Sequence, residues 1–481
     1  MRWGLAWHVT GLVLVCVGLC MFFPFLCAVY FADGSEAPLF LSLCVTVLAG
    51  VFLLFSFRQP QPMVINHREG VVIVTLGWIA CALFGALPFA LGGFPSFSDA
   101  VFESVSGFTT TGASILTNIE AVPKGLLFWR SLTHWLGGMG IIVLTIAILP
   151  FLGVGGMQLY KAEVPGPVAD KLQPRIKDTA MSLWKVYVFF TAVQIALLLF
   201  GGMDLFESVC HAFGTMATGG FSTRNSSIAA YDSAYIDYVT SFFMLVAGLN
   251  FALHFQLFRG RPLVFWRDPE FRFFALVVVV MTAIVAVVIH GANYDSVSGS
   301  LRFALFQVAS IITTTGYATA DYELWPPLTH GLLLLAMFLG GCAGSTSGGI
   351  KCMRVMLLIK QAYRELFRLV HPRAVVPVKF GSKLVRDEVL ASIWGFFVLF
   401  VLLFVLSSLV LTAMGVDVLT AFSAVVACIG NVGPGLGGVG PVDNYAAIPL
   451  PGKWVLTFCM LLGRLEIYTV LVLCIPEFWR K

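Results

Sequence analysis

Residues 109–113 read TTTGA and residues 313–317 read TTTGY, and two further stretches, 218–221 (TGGF) and 430–434 (GNVGP), also centre on glycine. Sixteen residues before each central glycine stands a residue of the type that caps helix N-termini. These capping residues and their glycines are Ser96 with Gly112, Asp204 with Gly220, Ser300 with Gly316, and Asp417 with Gly433. A spacing shared by four stretches predicts four copies of one unit, a capped helix of about 12 residues that ends in a sharp glycine turn.

The composition places these units in a lipid bilayer. Of the 481 residues, 59% are hydrophobic and only 11% are charged, and the mean hydropathy is +0.92. Soluble proteins carry roughly 25% charged residues, and a water-soluble fold of this length would still expose a large surface. The chain is therefore predicted to be a membrane protein. A helix of about 12 residues is roughly 18 Å long and reaches only about halfway across a 30 Å hydrocarbon core.

Ten other segments are long and apolar enough to cross a bilayer. They cover approximately residues 5–31, 37–57, 71–93, 126–150, 179–202, 234–257, 272–291, 326–370 with an interruption, 388–414 and 452–476. If both termini are cytoplasmic, most of the 29 Lys and Arg residues fall on the cytoplasmic side, as the positive-inside rule requires. The six exceptions are Lys124, Arg130, Arg224, Arg302, Lys453 and Arg464.

The 11 cysteines lie in or beside apolar stretches, and none forms a CxxC pair or a cluster with zinc spacing. We interpret them as free thiols and expect neither a disulfide framework nor a covalently bound cofactor.

The pattern predicts an all-α membrane protein with two N-terminal helices and four span–pore-helix–filter-loop–span repeats around one pseudo-fourfold pore. The first two helices occupy residues 1–69. The four repeats occupy residues 70–177, 178–270, 271–385 with a broken inner helix, and 386–481.

Four glycine loops at membrane depth indicate an ion pathway. Non-helical backbone is tolerated there only when it is buried in protein or lines a water-filled path. Loop carbonyls can replace the hydration shell of a cation, and the four preceding helices direct their partly negative C-terminal ends toward the same place. The alternative is that these are only Gly/Thr-rich loops, which the shared capping offset argues against. The predicted filter residues are Thr110, Thr111, Gly112, Thr218, Gly219, Gly220, Thr314, Thr315, Gly316, Asn431, Val432 and Gly433.

These motifs resemble those of the Trk/Ktr superfamily of potassium transport proteins. They comprise TTTGAS (109–114), ATGGFST (217–223), TTTGYAT (313–319), GNVGPG (430–435), GGCAGSTSGGIK (340–351) and MLLGRLE (460–466). The two extra N-terminal helices favour the TrkH type, and the resemblance covers essentially the whole chain.

The resemblance implies a subunit for K⁺ uptake in the bacterial inner membrane, with K⁺ held at the filter residues as cargo. It also implies a homodimer with one pore per protomer and a cytoplasmic nucleotide-binding, TrkA-like regulatory ring. Membrane lipid is the other expected contact, and nucleic acid is not a partner. Because Pro434 and the unequal loops make the ring heterogeneous, we expect weaker discrimination between K⁺ and Rb⁺ or Na⁺ than in a symmetric channel.

The interruption in the eighth span is a candidate gate. Five glycines in ten residues do not hold a stable helix, and the stretch lies about 25 residues after Gly316, below the filter. The candidate gate residues are Gly340, Gly341, Ala343, Gly344, Ser345, Thr346, Ser347, Gly348 and Gly349. The alternative is a small-residue packing surface, but such a surface has a small residue at every fourth position rather than a continuous run.

Arg464 lies near the middle of the last span, where an ionisable residue is by default a functional candidate. Pairing with Glu466 is poor, because side chains two positions apart on a helix point about 200° away from each other. In the resembling family the matching arginine faces the pore below the filter as an electrostatic barrier. The alternative is a structural partner elsewhere in the chain.

Nine residues before the four filter glycines stand Glu103, His211, Gln307 and Ala424. Three of the four are polar, so they either brace the filter backbone or are chance polar residues in a hydrated funnel.

Two other function classes fit the sequence less well. A secondary transporter with alternating access shows inverted repeats and paired broken helices, whereas here we expect four repeats in one orientation and a single broken span. A membrane enzyme would need a catalytic motif, and none occurs in a suitable context. Within the cation-pathway interpretation, the alternative is a Na⁺-permeable transporter or one coupled to H⁺ or Na⁺.

Overall fold

The computed structural model describes residues 1–58, 66–140 and 176–480. The described part is predominantly helical, with one short antiparallel hairpin of strands Lys379–Phe380 and Lys383–Leu384. Residues 141–150 of the predicted span 126–150 lie outside the described residues.

Two spans precede the repeats, as predicted. The first consists of helices Trp3–Cys20 and Phe22–Phe31, and the second is the helix Glu36–Ser56. The junction at Met21 lies three residues before Pro24, which lacks the N–H that would continue the helical ladder. Together the two spans form the N-terminal helix pair.

Each repeat begins with an outer helix. The four outer helices are His67–Gly85 followed by Leu87–Leu91, Ile176–Phe200, Pro269–Ile289 and Asp387–Ala413. Only 22% of the most apolar window in the span Asp387–Ala413 is buried, against 67% in the span Arg68–Leu91. The first outer helix is therefore covered by the N-terminal helix pair, whereas the fourth presents most of its apolar surface for contact with lipid.

Each outer helix is followed by a short pore helix. The four pore helices are Phe97–Phe108, Leu205–Met216, Val297–Ile312 and Val418–Ile429. Their later turns, including polar residues, are almost completely buried. The pore helices therefore form the centre of the molecule, where the four repeats meet.

Three of the four predicted capping residues begin pore helices. The side chains of Ser96, Asp204 and Asp417 accept backbone N–H groups of the first turn. At Asp417 the Thr420 side chain and the N–H groups of residues 419 and 420 hold the pKa of the carboxyl below its ordinary value.

The prediction for Ser300 is wrong. The third pore helix begins one turn earlier, because Ser296 accepts the Gly299 N–H at 3.1 Å and caps the helix there. The Ser300 hydroxyl donates to the Ser296 carbonyl instead. Two serines four residues apart offered the same capping signal, and the earlier one caps the helix.

The second span of each repeat, called here the inner segment, is not one continuous α-helix in its described residues. The four inner segments are Lys124–Trp135 continuing as a π-helix at Leu136–Gly140, Ala234–Ala247 with Phe251–Phe258, Pro327–Leu339 with Cys352–Val370, and Leu450–Arg464 with Ile467–Leu471. The second and fourth bend by 100° and 113°. The expectation of continuous helices over 234–257 and 452–476, and of a single broken span, is therefore wrong.

A glycine lies at or close to each of these interruptions. Gly137 lies in the π-helix, Gly248 and Gly340 lie in breaks, and Gly463 lies two residues before the fourth break, each preceded by Leu or Ala. A Cβ at Gly137 would collide with the Phe108 carbonyl oxygen, and one at Gly463 would collide with the Ile429 carbonyl oxygen. Both carbonyls belong to the last residue of a pore helix, so glycine is required where an inner segment touches a pore-helix end.

Six described helical spans are long and apolar enough to cross a membrane, and the two bent pairs raise the number to eight. The other two predicted spans are the partly described segment 126–150 and the interrupted segment 326–370. The structure thus confirms the all-α membrane fold with two leading helices and four repeats.

Candidate functional site

The four glycine loops share one backbone conformation. The residue two positions before each glycine has a φ between 54° and 58°, at Thr110, Thr218, Thr314 and Asn431. The glycines themselves have φ values between 80° and 97°, at Gly112, Gly220, Gly316 and Gly433. Positive φ is uncommon outside glycine, so its repetition at three threonines and an asparagine shows that the four loops are copies of one structure.

The loop N–H groups point back to the pore helices. Thr110 donates to Gly107 and Thr111 to Ser106, at 3.0 and 2.9 Å. The same two bonds recur from Thr218 and Gly219, from Thr314 and Thr315, and from Asn431 and Val432, at 2.7–3.2 Å. Because these donors are used within each repeat, the backbone groups left for a ligand at the loops are carbonyl oxygens.

The four loops form a closed ring. A Cβ at Gly112 would collide with the Gly219 carbonyl oxygen, one at Gly220 with that of Thr315, and one at Gly316 with that of Val432. A Cβ at Gly433 would lie 2.6 Å from the Thr111 carbonyl oxygen. Each glycine therefore faces the next loop in chain order, and the fourth faces the first, so the predicted filter residues lie together around one axis.

Side chains behind the ring form contacts within the loops and between them. The hydroxyls of Thr109 and Thr111 are 2.8 Å apart, as are those of Thr313 and Thr315. The Asn431 amide donates to the Thr111 hydroxyl at 3.0 Å and to the Met460 carbonyl at 2.9 Å. These contacts fix the ring against the scaffold and join the last repeat to the first.

The polar residues in the pore helices brace the chain that leaves the ring, in agreement with the bracing interpretation. Glu103 accepts the Ile115 N–H at 3.0 Å, His211 bonds the Ser222 hydroxyl at 2.9 Å, and Gln307 donates to the Ala320 carbonyl at 3.3 Å. In the fourth repeat Ala424 has no such group, and its neighbour Ser423 donates to the Leu436 carbonyl at 2.7 Å.

Sequence analysis missed Arg130 as a partner of this brace. Its guanidinium lies 2.6 Å from Glu103, donates to the Ser222 carbonyl and stacks 3.5 Å from the Phe221 ring centre. Both members of the ion pair are buried. The available signal was that Arg130 is one of six basic residues off the cytoplasmic side.

A cavity opens on the outer side of the ring. It is lined by the four filter glycines together with residues such as Arg130, Ser222 and Asp443, and its volume is about 80 Å³. One water molecule needs about 10–15 Å³ of cavity volume of this kind, so the cavity has room for several water molecules beside the ring.

The candidate gate residues form one loop, called here the gate loop (residues 340–351), whose base is closed by the bond from the Cys352 N–H to the Gly341 carbonyl at 3.0 Å. Its tip lies below the ring. The Gly348 N–H donates to the Thr314 hydroxyl at 2.8 Å, and the Thr346 hydroxyl donates to the Met216 carbonyl at 3.1 Å.

Arg464 holds this tip. Its guanidinium donates to the Thr346 carbonyl at 2.6 Å and to the carbonyls of Gly137 and Gly138 at 2.5 and 2.7 Å. Glu466 forms an ion pair with Arg354. The helix ends at Arg464 and Glu466 lies in the break that follows, so the helical spacing used in the sequence argument against an Arg464–Glu466 pair does not apply. The structure therefore brings together Arg464, the gate loop and the interruption of the first inner segment.

Comparison with known proteins agrees with this geometry. The sequence model of the TrkH family, described as a cation transport protein, matches residues 37–481. The Trk system potassium uptake protein TrkH of Salmonella typhimurium is 45% identical over 479 residues, which cover 98% of this chain and 99% of that protein. The Trk system potassium uptake protein TrkG of Escherichia coli is 37% identical over 483 residues, or 98% of each chain.

A solved structure shows the same fold. The crystal structure of the potassium transporter TrkH from Vibrio parahaemolyticus superposes with a TM-score of 0.90 at 39% identity, over 100% of both chains. The sequence relatives and the solved structure therefore both match this chain over essentially its full length. The chain belongs to the TrkH family of cation transport proteins.

Proposed function

We propose that this protein takes up K⁺ through the ring of four glycine loops. The observation that carries the proposal is the closure of the ring, in which each glycine faces the carbonyl of the next loop. Carbonyl oxygens arranged around an axis replace the water that a cation loses on entering a pore. The buried pore helices add the partly negative ends of their dipoles at the same place, which favours a cation over an anion.

The twelve predicted filter residues carry the selectivity in this proposal, within four repeats bounded at residues 70–177, 178–270, 271–385 and 386–481. Support for K⁺ comes from the relatives that are named potassium uptake proteins. Glycine at all four ring positions supports a ring that uses backbone rather than side-chain oxygens.

The gate loop and Arg464 form the barrier below the filter. Two observations support this role: the loop tip bonds a filter threonine, and Arg464 bonds the tip. A positive charge at this depth repels a cation leaving the filter, by roughly 3 kcal/mol for unit charges 6 Å apart at an effective dielectric constant of 20.

The assembly proposed around this pore is a homodimer in the bacterial inner membrane with both termini cytoplasmic. A cytoplasmic nucleotide-binding, TrkA-like ring regulates it. The relatives are components of a Trk system, which supports association with further subunits. Light scattering of the purified protein in detergent measures the subunit number, and a monomer would contradict the dimer.

Uptake of radioactive Rb⁺ into proteoliposomes tests the function. We expect uptake that external K⁺ inhibits and equimolar Na⁺ inhibits much less. Equal inhibition by Na⁺ would support the Na⁺-permeable alternative. Uptake that occurs only under an imposed H⁺ or Na⁺ gradient would support coupled transport.

A further inference from the structure

The interruption in the second inner segment leaves backbone groups without helical partners. In a continuous helix the Phe251 N–H would bond to the Ala247 carbonyl, four residues earlier. The 100° bend at residues 248–250 separates these two groups. Since the bend lies among buried residues of a membrane protein, its free backbone groups need other partners.

The gate loop supplies these partners. The Phe251 N–H donates to the Gly344 carbonyl at 3.1 Å, and the Cys342 N–H donates to the Gly248 carbonyl at 2.9 Å. The Ala247 carbonyl accepts the Thr346 N–H at 3.4 Å and lies 3.2 Å from the Thr346 hydroxyl, whose proton it shares with the Met216 carbonyl. Three positions of the gate loop are thus bonded to three positions around one bend.

We propose that the bend at residues 247–251, called here the receptor, holds the gate loop closed, and that Asn250 is its positioning residue. The proposal rests on the gating role proposed above and assigns the surface on which the gate closes. Asn250 sets the bend because its side-chain oxygen accepts the Ala252 N–H at 2.8 Å and so starts a new helix at Phe251.

The receptor also explains why the loop closes in one place. When the loop leaves, the Phe251 N–H and the carbonyls of Ala247 and Gly248 lose their partners together, and only water entering the opened pore can replace them. The closed state is therefore favoured while the pathway is dry, and opening requires wetting of the receptor.

Gly344 permits the experiment that separates this contact from the rest of the gate. A Cβ on Gly344 would lie 2.9 Å from the side-chain oxygen of Asn250 and 3.1 Å from its Cγ. Gly344→Ala therefore pushes the loop away from the receptor. Gly260→Ala is the matched control, because Gly260 has nearly the same φ, 78° against 77°, and nothing within 4 Å of its Cβ position.

The measurement is basal Rb⁺ uptake into liposomes, without any regulatory subunit, together with thermal unfolding of each variant in detergent. We expect Gly344→Ala to raise uptake severalfold and Gly260→Ala to leave it unchanged. Adding Asn250→Ser to Gly344→Ala shortens the colliding side chain while the serine hydroxyl still caps the helix, so uptake should fall back toward the parent value.

Deletion of residues 341–347 distinguishes failure of the receptor from failure of the gate. If the deletion raises uptake and Gly344→Ala does not, the loop gates the pore but does not close on the receptor, and the inference is overturned. If a folded deletion variant leaves uptake unchanged, the gate itself is wrong. An equal rise with Gly260→Ala would assign the effect to backbone strain and would also overturn the inference.

Discussion

At the residue scale, position 316 requires glycine for two reasons, its backbone conformation and the lack of space for a side chain. Its φ is +84°, and its Cβ position is blocked by the Val432 carbonyl and lies 2.8 Å from Pro434 Cδ. A side chain would therefore displace the carbonyl of the neighbouring loop as well as strain its own backbone.

We expect Gly316→Ser to lower the K⁺/Na⁺ permeability ratio, because the displaced Val432 carbonyl no longer fits a dehydrated K⁺. Reversal potentials of proteoliposomes or planar bilayers measure the ratio. Gly331→Ser is the control, since Gly331 lies in the third inner segment with nothing near its Cβ position. Equal ratios in Gly316→Ser and in the parent protein would count against the filter assignment.

Arg464 combines a charge with three bonds that tie two interruptions together. We expect Arg464→Ala to raise Rb⁺ flux and leave the permeability ratio unchanged, because the filter lies on the outer side of this residue. Lysine at this position should keep most of the barrier because it retains the positive charge, although it lacks the planar set of donors. Flux and thermal unfolding are measured on the same preparation. Reduced flux together with a lower melting temperature would contradict the barrier and indicate a structural role.

At the element scale, the gate loop is held at both ends by one carboxylate. Glu270, in the first turn of the third outer helix, is buried. One of its oxygens accepts the Ala343 N–H at 2.8 Å and the Met353 N–H at 3.0 Å. Because Ala343 lies near the start of the gate loop and Met353 lies just after its end, Glu270 keeps the two arms of the loop together.

Glu270→Ala should therefore lower stability by about 1–3 kcal/mol, the cost of leaving buried donors unpaired, and raise basal flux. Glu270→Gln retains an acceptor oxygen, so it should show a smaller loss of stability and a smaller rise in basal flux. Thermal unfolding and Rb⁺ uptake of the two variants check this order. If alanine and glutamine variants behave alike, the two hydrogen bonds do not hold the loop.

The elements show how far sequence alone reaches in this protein. The pore helices and filter loops are predictable, because caps and glycines lie at a fixed spacing and three of the four caps are the predicted residues. The bends at Gly248 and Gly463 were missed, since single glycines inside long apolar windows look like ordinary parts of a span. Contacts such as Arg464 with Gly137 join residues more than 300 positions apart, and no local pattern encodes them.

At the scale of the whole molecule, two ion pairs join neighbouring repeats. Arg302 in the third pore helix lies 2.7 Å from Asp237 in the second inner segment. Lys453 in the fourth inner segment lies 2.7 Å from Asp99 in the first pore helix, with side chains that are each 10% exposed. The second pair joins the end of the chain to its beginning, so it closes the ring that the filter loops require.

We expect Asp99→Asn to destabilise the protein by about 3–5 kcal/mol, because Lys453 is left buried without its partner charge. Adding Lys453→Met should recover most of this loss, since it removes the unpaired charge and keeps the volume. Arg368→Gln, which breaks an exposed pair with Glu365, is the control and should change stability by less than about 1 kcal/mol. Thermal unfolding in detergent, with and without K⁺, measures the stability of all three variants.

If the pair closes the ring, Asp99→Asn also loses part of the stabilisation by K⁺, because the filter loops of the first and fourth repeats separate. A lower melting temperature with unchanged stabilisation by K⁺ would show that the pair supports the scaffold but not the ring.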